Sequence, residues 1–585
     1  MKKIILIIVL LGSIFQLKSQ NPDILKAMRD EIDRSMQDLE MESLEKPYYI
    51  EYLLRIREDH SVSGYLGSIT DKNESQIARL SVDIRVGDYT FDNSNFFDVG
   101  LSFFGSSDDE ERFKSRTVPY DLDYQTLRRE LWLATDAAYK QSAEIFAKKN
   151  SALKNKMRKD TTPDFLEMDI KSSYKLKPYY PFDFKYFTDL IKSVSAVFAE
   201  YPEIHVSSSG VEYQPETFYY ANSEGVEYIK TKFYTGFEIV AATQAEDGMN
   251  LADVFSAYAQ NPNNLPDKDS LVHAARHLAE NLMAQKNTDY VSDTYVGPVI
   301  FEDQAAGQIF AQIFAPNLVT QREPLTEGGM QTNDRNTAFQ RKIGGRVLPE
   351  FLSIEDNPSK SMYEETHLLG TYAIDDEGVP AEQVNLVEKG YLKNLLSSRV
   401  PIKRVRKSNG HKRGGAPMFS NLIVDVADEE KAVDSDSLKQ RLIELCKARE
   451  LPYGIIIRKI IDQNVLFTTL YRTTYGNFRF PQGEGKFIIS EAVKVFPDGR
   501  EEIVRGLEGS GFTVQTFKDL ILAGDTKYAM NILAPSVTSP FISGGDQYVG
   551  ASIITPDILF EDAELRVIDA DFNKPPYLNN PVALD

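Results

Sequence analysis

The chain has 585 residues, 42% of them hydrophobic and 26% charged, the proportions of a folded protein with room for roughly two to four domains. That excludes a disordered chain, a collagen-like repeat and a polytopic membrane protein. Asp and Glu (87) outnumber Lys and Arg (66), for a formal net charge of -21, so nucleic acid and anionic lipid are not expected as partners. The single cysteine, Cys446, excludes an intrachain disulfide and a cysteine-rich zinc module.

Met1 to Gln20 has the layout of a secretory signal: Lys2 and Lys3, an apolar run from Ile4 to Phe15, and a polar exit with Ser19 at the cleavage position. Residues 1–19 are therefore expected to be removed. The mature protein is expected to be exported, to the periplasm in a cell with two membranes, and to keep no membrane span, since the run is short of the roughly 20 residues a spanning helix needs.

Asn21 to Lys46 reads as an amphipathic helix, with Ile24, Leu25, Met28, Ile32, Met36 and Leu39 at helical spacing. Leu80 to Val86 alternates as a half-buried strand. Ser106 to Arg116 is acidic and Ser-rich, and reads as a loop. Asp123 to Lys149 is a second helix with its stripe on Leu127, Leu131, Ala134 and Ala138. Trp132, the sole tryptophan, is expected to pack in the core beside that stripe. Phe184 to Ala199 is a third helix. Thr217 to Ala245 reads as a β-meander turning at Asn222-Ser223-Glu224-Gly225, with a break at Tyr234-Thr235-Gly236. Asp269 to Gln285 is a fourth helix. Beyond it the chain is richer in glycine turns and short strands. The expected fold is α+β in two domains: a helix and antiparallel-sheet domain over 20–290, and a mostly β domain over 296–585.

Turn-centred blocks in the second half carry more information than any one strand. They are Asp375-Asp376-Glu377-Gly378-Val379-Pro380, Leu386 to Asn394, Ser408-Asn409-Gly410-His411-Lys412-Arg413 followed by Pro417 to Leu422, Val504-Arg505-Gly506-Leu507 with Gly509-Ser510-Gly511, and Ser543 to Gly550. Taken with Asn222 to Gly225 and Glu246-Asp247-Gly248, their order and spacing resemble the TldD/PmbA family of zinc metallopeptidases and their inactivated homologues, over residues 205–565. The resemblance implies a two-domain TldD/PmbA-like architecture. It also implies a division of labour between a zinc-bearing TldD-type chain and a TldE-type (PmbA-type) chain without zinc, which together cleave peptides.

In TldD-type chains a His-Glu-x-x-x-His helix follows a Gly-Pro-Val start, and a distant cysteine completes the site. Two imidazoles and the cysteine would hold the metal, and the carboxylate would act as base on metal-bound water. Here that start is Gly297-Pro298-Val299, and the resemblance places Ala311 and Pro316 at the histidines, Gln312 at the glutamate and Phe541 at the cysteine. None of the four supplies a ligand or a strong base, so no catalytic residue, metal ligand or cofactor is expected. The resemblance then implies a TldE-like chain assisting a TldD-type zinc peptidase, or pairing with a second copy of itself, on a peptide substrate. Two alternatives stay open: an active metallopeptidase with an unrecognised metal site, and a stand-alone peptide-binding envelope protein.

Other motifs are weaker. His273 and His277 are four apart on a helix, but the apolar stripe turns them toward solvent. Gly509-Ser510-Gly511 lacks the flanks of a nucleophile elbow, and Gly483-Glu484-Gly485-Lys486 lacks the spacing of a phosphate loop. Cys446 lies in a helical stretch as apolar filler. A basic loop holds Arg399, Lys403, Arg404, Arg406, Lys407, His411, Lys412 and Arg413. Of these, Arg404, Arg406, His411 and Arg413 are the candidate contacts for a peptide carboxylate or an acidic partner.

Overall fold

The computed structural model describes residues 22–41, 45–97, 115–154, 161–326, 337–462, 465, 485–535 and 548–568. The signal-like segment 1–19, most of the acidic stretch 106–116, Phe541, and residues 543–547 of the last glycine-rich block lie outside the described residues.

The first half is an antiparallel sheet under four helices. In chain order these are α1 (Pro22–Asp38), β1 (Pro47–Tyr65), β2 (Ser68–Val86), α2 (Tyr124–Leu153), α3 (Phe184–Ala196), β3 (Val206–Asn222), β4 (Glu227–Gln244), β5 (Asn250–Ala259) and α4 (Lys268–Lys286). The long strands run in the order β2-β1-β3-β4-β5. Asp123, Asp183 and Asp267 cap α2, α3 and α4 by accepting amide hydrogens of their first turns. Register decides which face is apolar. Tyr52, Leu54, Val82, Tyr219 and Ile229 share one face with α1 and α2. Further along the same face, Val62, Val211, Phe237 and Ile239 pack on α3 and α4. The opposite face turns toward the second half of the chain.

Three local expectations are corrected. Trp132 is 51% exposed on the outer side of α2, because Leu131 and Ala134 take the buried positions. The meander has no break at 234–236: β4 runs through, pairing Glu212 with Gly236 and Tyr213 with Thr235. α1 ends at Asp38 rather than Lys46.

The second half begins with β6 (Tyr295–Phe301) and α5 (Asp303–Ile309), followed by β7 (Leu352–Asp356), β8 (Val384–Glu388), β9 (Asn421–Val426), α6 (Ser435–Ala448), β10 (Gly454–Ile460), β11 (Phe487–Val495), β12 (Leu520–Pro535) and β13 (Tyr548–Val567). β13 is the organising strand. It pairs with β9, β12, β6 and the short strand Leu507–Gly509 at successive points along its length. That short strand pairs with β11, β11 with β10, and β10 with β6. The pairing therefore closes into a ring, which leaves those strands without a free edge there. Phe301, Phe487, Phe512 and Phe560 meet edge-to-face in the core beneath it. The chain is thus α+β, with a helix and antiparallel-sheet first part and a mostly β second part. Among the described residues, no helix is long and apolar enough to cross a membrane.

Candidate functional site

The helical segment after β6 is irregular at both ends. Asp303 opens it at φ +41°, a conformation that a non-glycine residue adopts only under constraint, and its amide donates to Asp557 Oδ1 at 2.7 Å. After Ile309 the helix widens into a π turn, Phe310–Phe314, and ends in a 3₁₀ turn, Ala315–Asn317. Pro316 has no amide hydrogen to continue an α-helical ladder, which accounts for the change. A π turn closes from residue i to i+5, so residues five apart approach a common side. The π turn closes through the Ala315 amide onto Phe310 O, and Ala311 and Pro316 on either side of that closure are both buried.

A glutamine ladder occupies the side of this helix that faces the end of β10. Gln304 donates to Ile460 O at 2.7 Å and accepts the Ile460 amide at 3.0 Å. Gln308 donates to Asp462 Oδ2 at 3.2 Å. Gln312 donates to Gln308 Oε1 at 2.8 Å and to Ile461 O at 3.0 Å.

Ile461 connects this helix to the first-half sheet. With Val465 and Ile488 it packs on Val240, Ala242, Ala252 and Val254, on the sheet face away from the helices. At the other end of that face Phe218, Tyr220 and Tyr228 pack with Val379 and Ile374. Between these two apolar anchors the same face is polar. Arg55, Arg57 and Asp59 of β1, Glu212 and Gln214 of β3, and Lys232, Tyr234 and Glu238 of β4 are all half-buried there. Arg55 pairs with Glu216 at 2.9 Å and Lys230 with Asp376 at 2.9 Å. Burial and the neighbouring Glu238 carboxylate push Glu212 up to about 7. The result is a polar floor between two apolar anchor points, one of which also touches the glutamine helix.

The basic loop is divided by the fold. Positive φ at Gly410, Gly414 and Gly415 turns the chain inward there. His411 is fully buried, with Nδ1 2.9 Å from Asn409 O and Nε2 3.1 Å from Asp356 Oδ1. Arg413 is buried too; it donates to Phe419 O at 2.8 Å and to Gly550 O, over the ring of Tyr372. Arg399 lies inside, donating to Leu166 O and to Glu224 Oε1 at 2.6 Å, so it joins the two halves. Of the four candidate contacts, only Arg404 and Arg406 are exposed. His411 and Arg413 are therefore not placed to meet an outside carboxylate: backbone carbonyls and Asp356 replace water around them.

Asp375 caps its turn by accepting the amides of Glu377 and Val379 at 2.9 Å each and that of Lys412 at 3.2 Å. Burial and the Glu377 charge nevertheless hold its carboxyl above the usual carboxylate range. Asp376, paired with Lys230, lies below it.

Residues 293–565 match the family model described as the PmbA/TldA metallopeptidase C-terminal domain. This second half of the chain belongs to the TldD/PmbA family. No curated protein matches its sequence. Similar solved structures include TldE from Thermococcus kodakarensis, at 13% identity and TM-score 0.56 over 92% of this chain and 99% of that one. A candidate modulator of a DNA gyrase from Thermotoga maritima aligns at 12% identity and TM-score 0.53, over 88% of this chain and 96% of that one. A candidate modulator of DNA gyrase from Bacteroides thetaiotaomicron gives 12% and 0.53, over 93% and 98%. At such identities the likeness shows a shared fold over nearly the whole chain.

The zinc of TldD-type chains does not fit the described residues of this chain. Ala311 and Pro316 carry no donor atom, and the Gln312 amide nitrogen is committed to two oxygen acceptors. Among the described residues no group of three or more His, Cys, Asp or Glu is placed to hold a metal ion. His273 and His277 are both exposed on α4, and Cys446 is buried in α6. The i, i+4, i+8 spacing of Gln304, Gln308 and Gln312 is a sequence signal for this polar helix side, of which only Gln312 stood out at the base position. The charged alternation Arg55-Ile56-Arg57, which signals a strand with one polar face, was also passed over.

Proposed function

We propose that the chain is an exported, catalytically silent TldE-like subunit that assists peptide binding and proteolysis by a zinc-bearing partner of the same family. The observation that carries this reading is the glutamine helix. Alanine and proline stand where the imidazoles would be, and the side chain at the base position is tied to Ile461 O and Gln308. An amide accepts protons too weakly to act as a general base, and a site without imidazole or thiolate does not retain zinc. The polar floor between the two apolar anchors supports a role in holding peptide. Export rests on residues 1–19.

The test is elemental analysis of the purified mature chain after mild dialysis, with a peptide-cleavage assay on the chain alone and mixed with a TldD-type chain from the same genome. The expected result is no stoichiometric zinc, no cleavage alone, and faster cleavage by the TldD-type chain in the mixture. Zinc near one per chain with chelator-sensitive cleavage would overturn silence. A TldD-type chain indifferent to the addition would overturn the subunit role. Amino-terminal sequencing of the protein recovered from the periplasm tests export.

A further inference from the structure

Turns from separate parts of the second half meet on one outer surface. Arg404 Nη1 donates to the carbonyls of Arg341 at 3.0 Å and Ile343 at 3.3 Å. The Gly344 amide donates to Leu392 O, and Arg346 bridges to Tyr391, so the 341–346 turn is fixed against the hairpin after β8. Ile402 and Val405 exchange hydrogen bonds and close the turn that carries Lys403 and Arg404. Arg406 Nε donates to Lys403 O at 3.3 Å.

This arrangement gathers Arg341, Lys342, Arg346, Lys403, Arg404 and Arg406. Five of them are exposed and Lys342 is half-buried. None of the six forms an ion pair among the described residues, whereas the adjacent Lys393 is paired with Glu388 at 3.3 Å. Burial and the charge of Lys518 hold Lys342 below the usual lysine range, a sign that like charges crowd there. Many other cations of the chain have carboxylate partners, such as Arg276 with Glu200 and Lys439 with Glu501.

Six cations held together with no ion pair among the described residues, on a chain of net charge -21, repel one another and stand out against an acidic background. An acidic partner would be repelled over most of the molecule and admitted here, so charge would set the docking orientation. Two guanidinium groups are already ordered by backbone carbonyls, which lowers the entropy lost on docking. Exposed Tyr391 lies among them and donates to Glu350 at 3.3 Å. Arginine with tyrosine is the composition of protein interfaces.

We propose that this patch docks an acidic polypeptide face of a partner chain. The proposal rests on the subunit reading above for the partner's identity, and on the patch alone for its chemistry.

The experiment measures binding of the full mature chain to a polyglutamate peptide, to the TldD-type chain of the same genome and to phosphatidylglycerol vesicles, at low and high salt. The variants are R341E/R404E/R406E, the conservative R341K/R404K/R406K, and R500E on a separate exposed turn. Wild type should bind polyglutamate with an affinity that falls with salt. Charge reversal should weaken it by about tenfold or more. The lysine variant should keep the salt dependence, and R500E should match wild type. Equal affinity of wild type and the reversed variant for polyglutamate, or tighter binding to vesicles than to polyglutamate, would overturn the proposal. If wild type binds polyglutamate as expected but ignores the TldD-type chain, the subunit reading fails and the patch stands. If the TldD-type chain binds wild type and the reversed variant alike, the patch is not the partner surface and the subunit reading stands.

Discussion

His411 Nε2 stands 3.1 Å from Asp356 Oδ1, and neither side chain reaches solvent. Asp356 also accepts the amide and hydroxyl of Ser420, so one carboxylate fastens β7 to two later turns. Removing the imidazole leaves Asp356 short of a partner in a dry interior. H411A should destabilise the chain by about 3 kcal/mol or more, and R413A by about 2 kcal/mol or more through its lost carbonyl contacts. R404A and R406A should change stability by no more than about 0.5 kcal/mol. Urea unfolding of the four variants checks this, and equal effects at all four positions would contradict the division of the loop.

Trp132 reports its own exposure. It is the sole tryptophan, so native fluorescence comes from one place. The emission of the folded protein should already be red-shifted and open to quenching by iodide, and it should change little on unfolding. A blue-shifted, protected emission would place the indole in the core after all.

Two glycines separate conformation from space. Gly225 sits at φ +84° with nothing near an added Cβ, whereas at Gly410, φ +72°, that atom would lie 2.2 Å from Pro380 O. G225A pays only for the left-handed backbone, about 1 kcal/mol. G410A adds a backbone clash and should cost more than about 3 kcal/mol, or prevent folding. Thermal melts of both variants decide it.

Glu212 gives the polar floor a pH dependence. Its folded pKa of about 7 lies above its unfolded value, so the folded chain holds the extra proton between the two. Its contribution is fully present below the ordinary glutamate pKa and is lost as pH rises through about 7. E212Q should therefore be more stable than wild type by about 3 kcal/mol near pH 8, with little difference near pH 4. Denaturant titrations of both proteins at the two pH values test the sign.

Much of the architecture was legible in the sequence. The stripes of α1, α2 and α4, the turn at Gly225 and the β-rich second half follow from periodicity and glycine placement, which are local signals. The fate of the basic loop was not legible. Whether His411 meets water or Asp356 depends on a strand 55 residues away in sequence, and a local pattern does not encode that distance. Trp132 failed for a similar reason. It borders a buried stripe, and a shift of one helical position moved it to the outside. The ligand positions at Ala311 and Pro316 could be named only from resemblance, because a π turn has no signature in residue spacing.

The ring of pairings closed by β13 bears on the order of synthesis. β6, β10 and β11 are all made before Tyr548–Val567, yet each waits, directly or through a neighbour, for that strand to complete its pairing. The helix-covered sheet can form as soon as α4 has emerged. The second half cannot close until Tyr548–Val567 has been translated, so until then it is an incomplete sheet that must be kept from pairing with its neighbours.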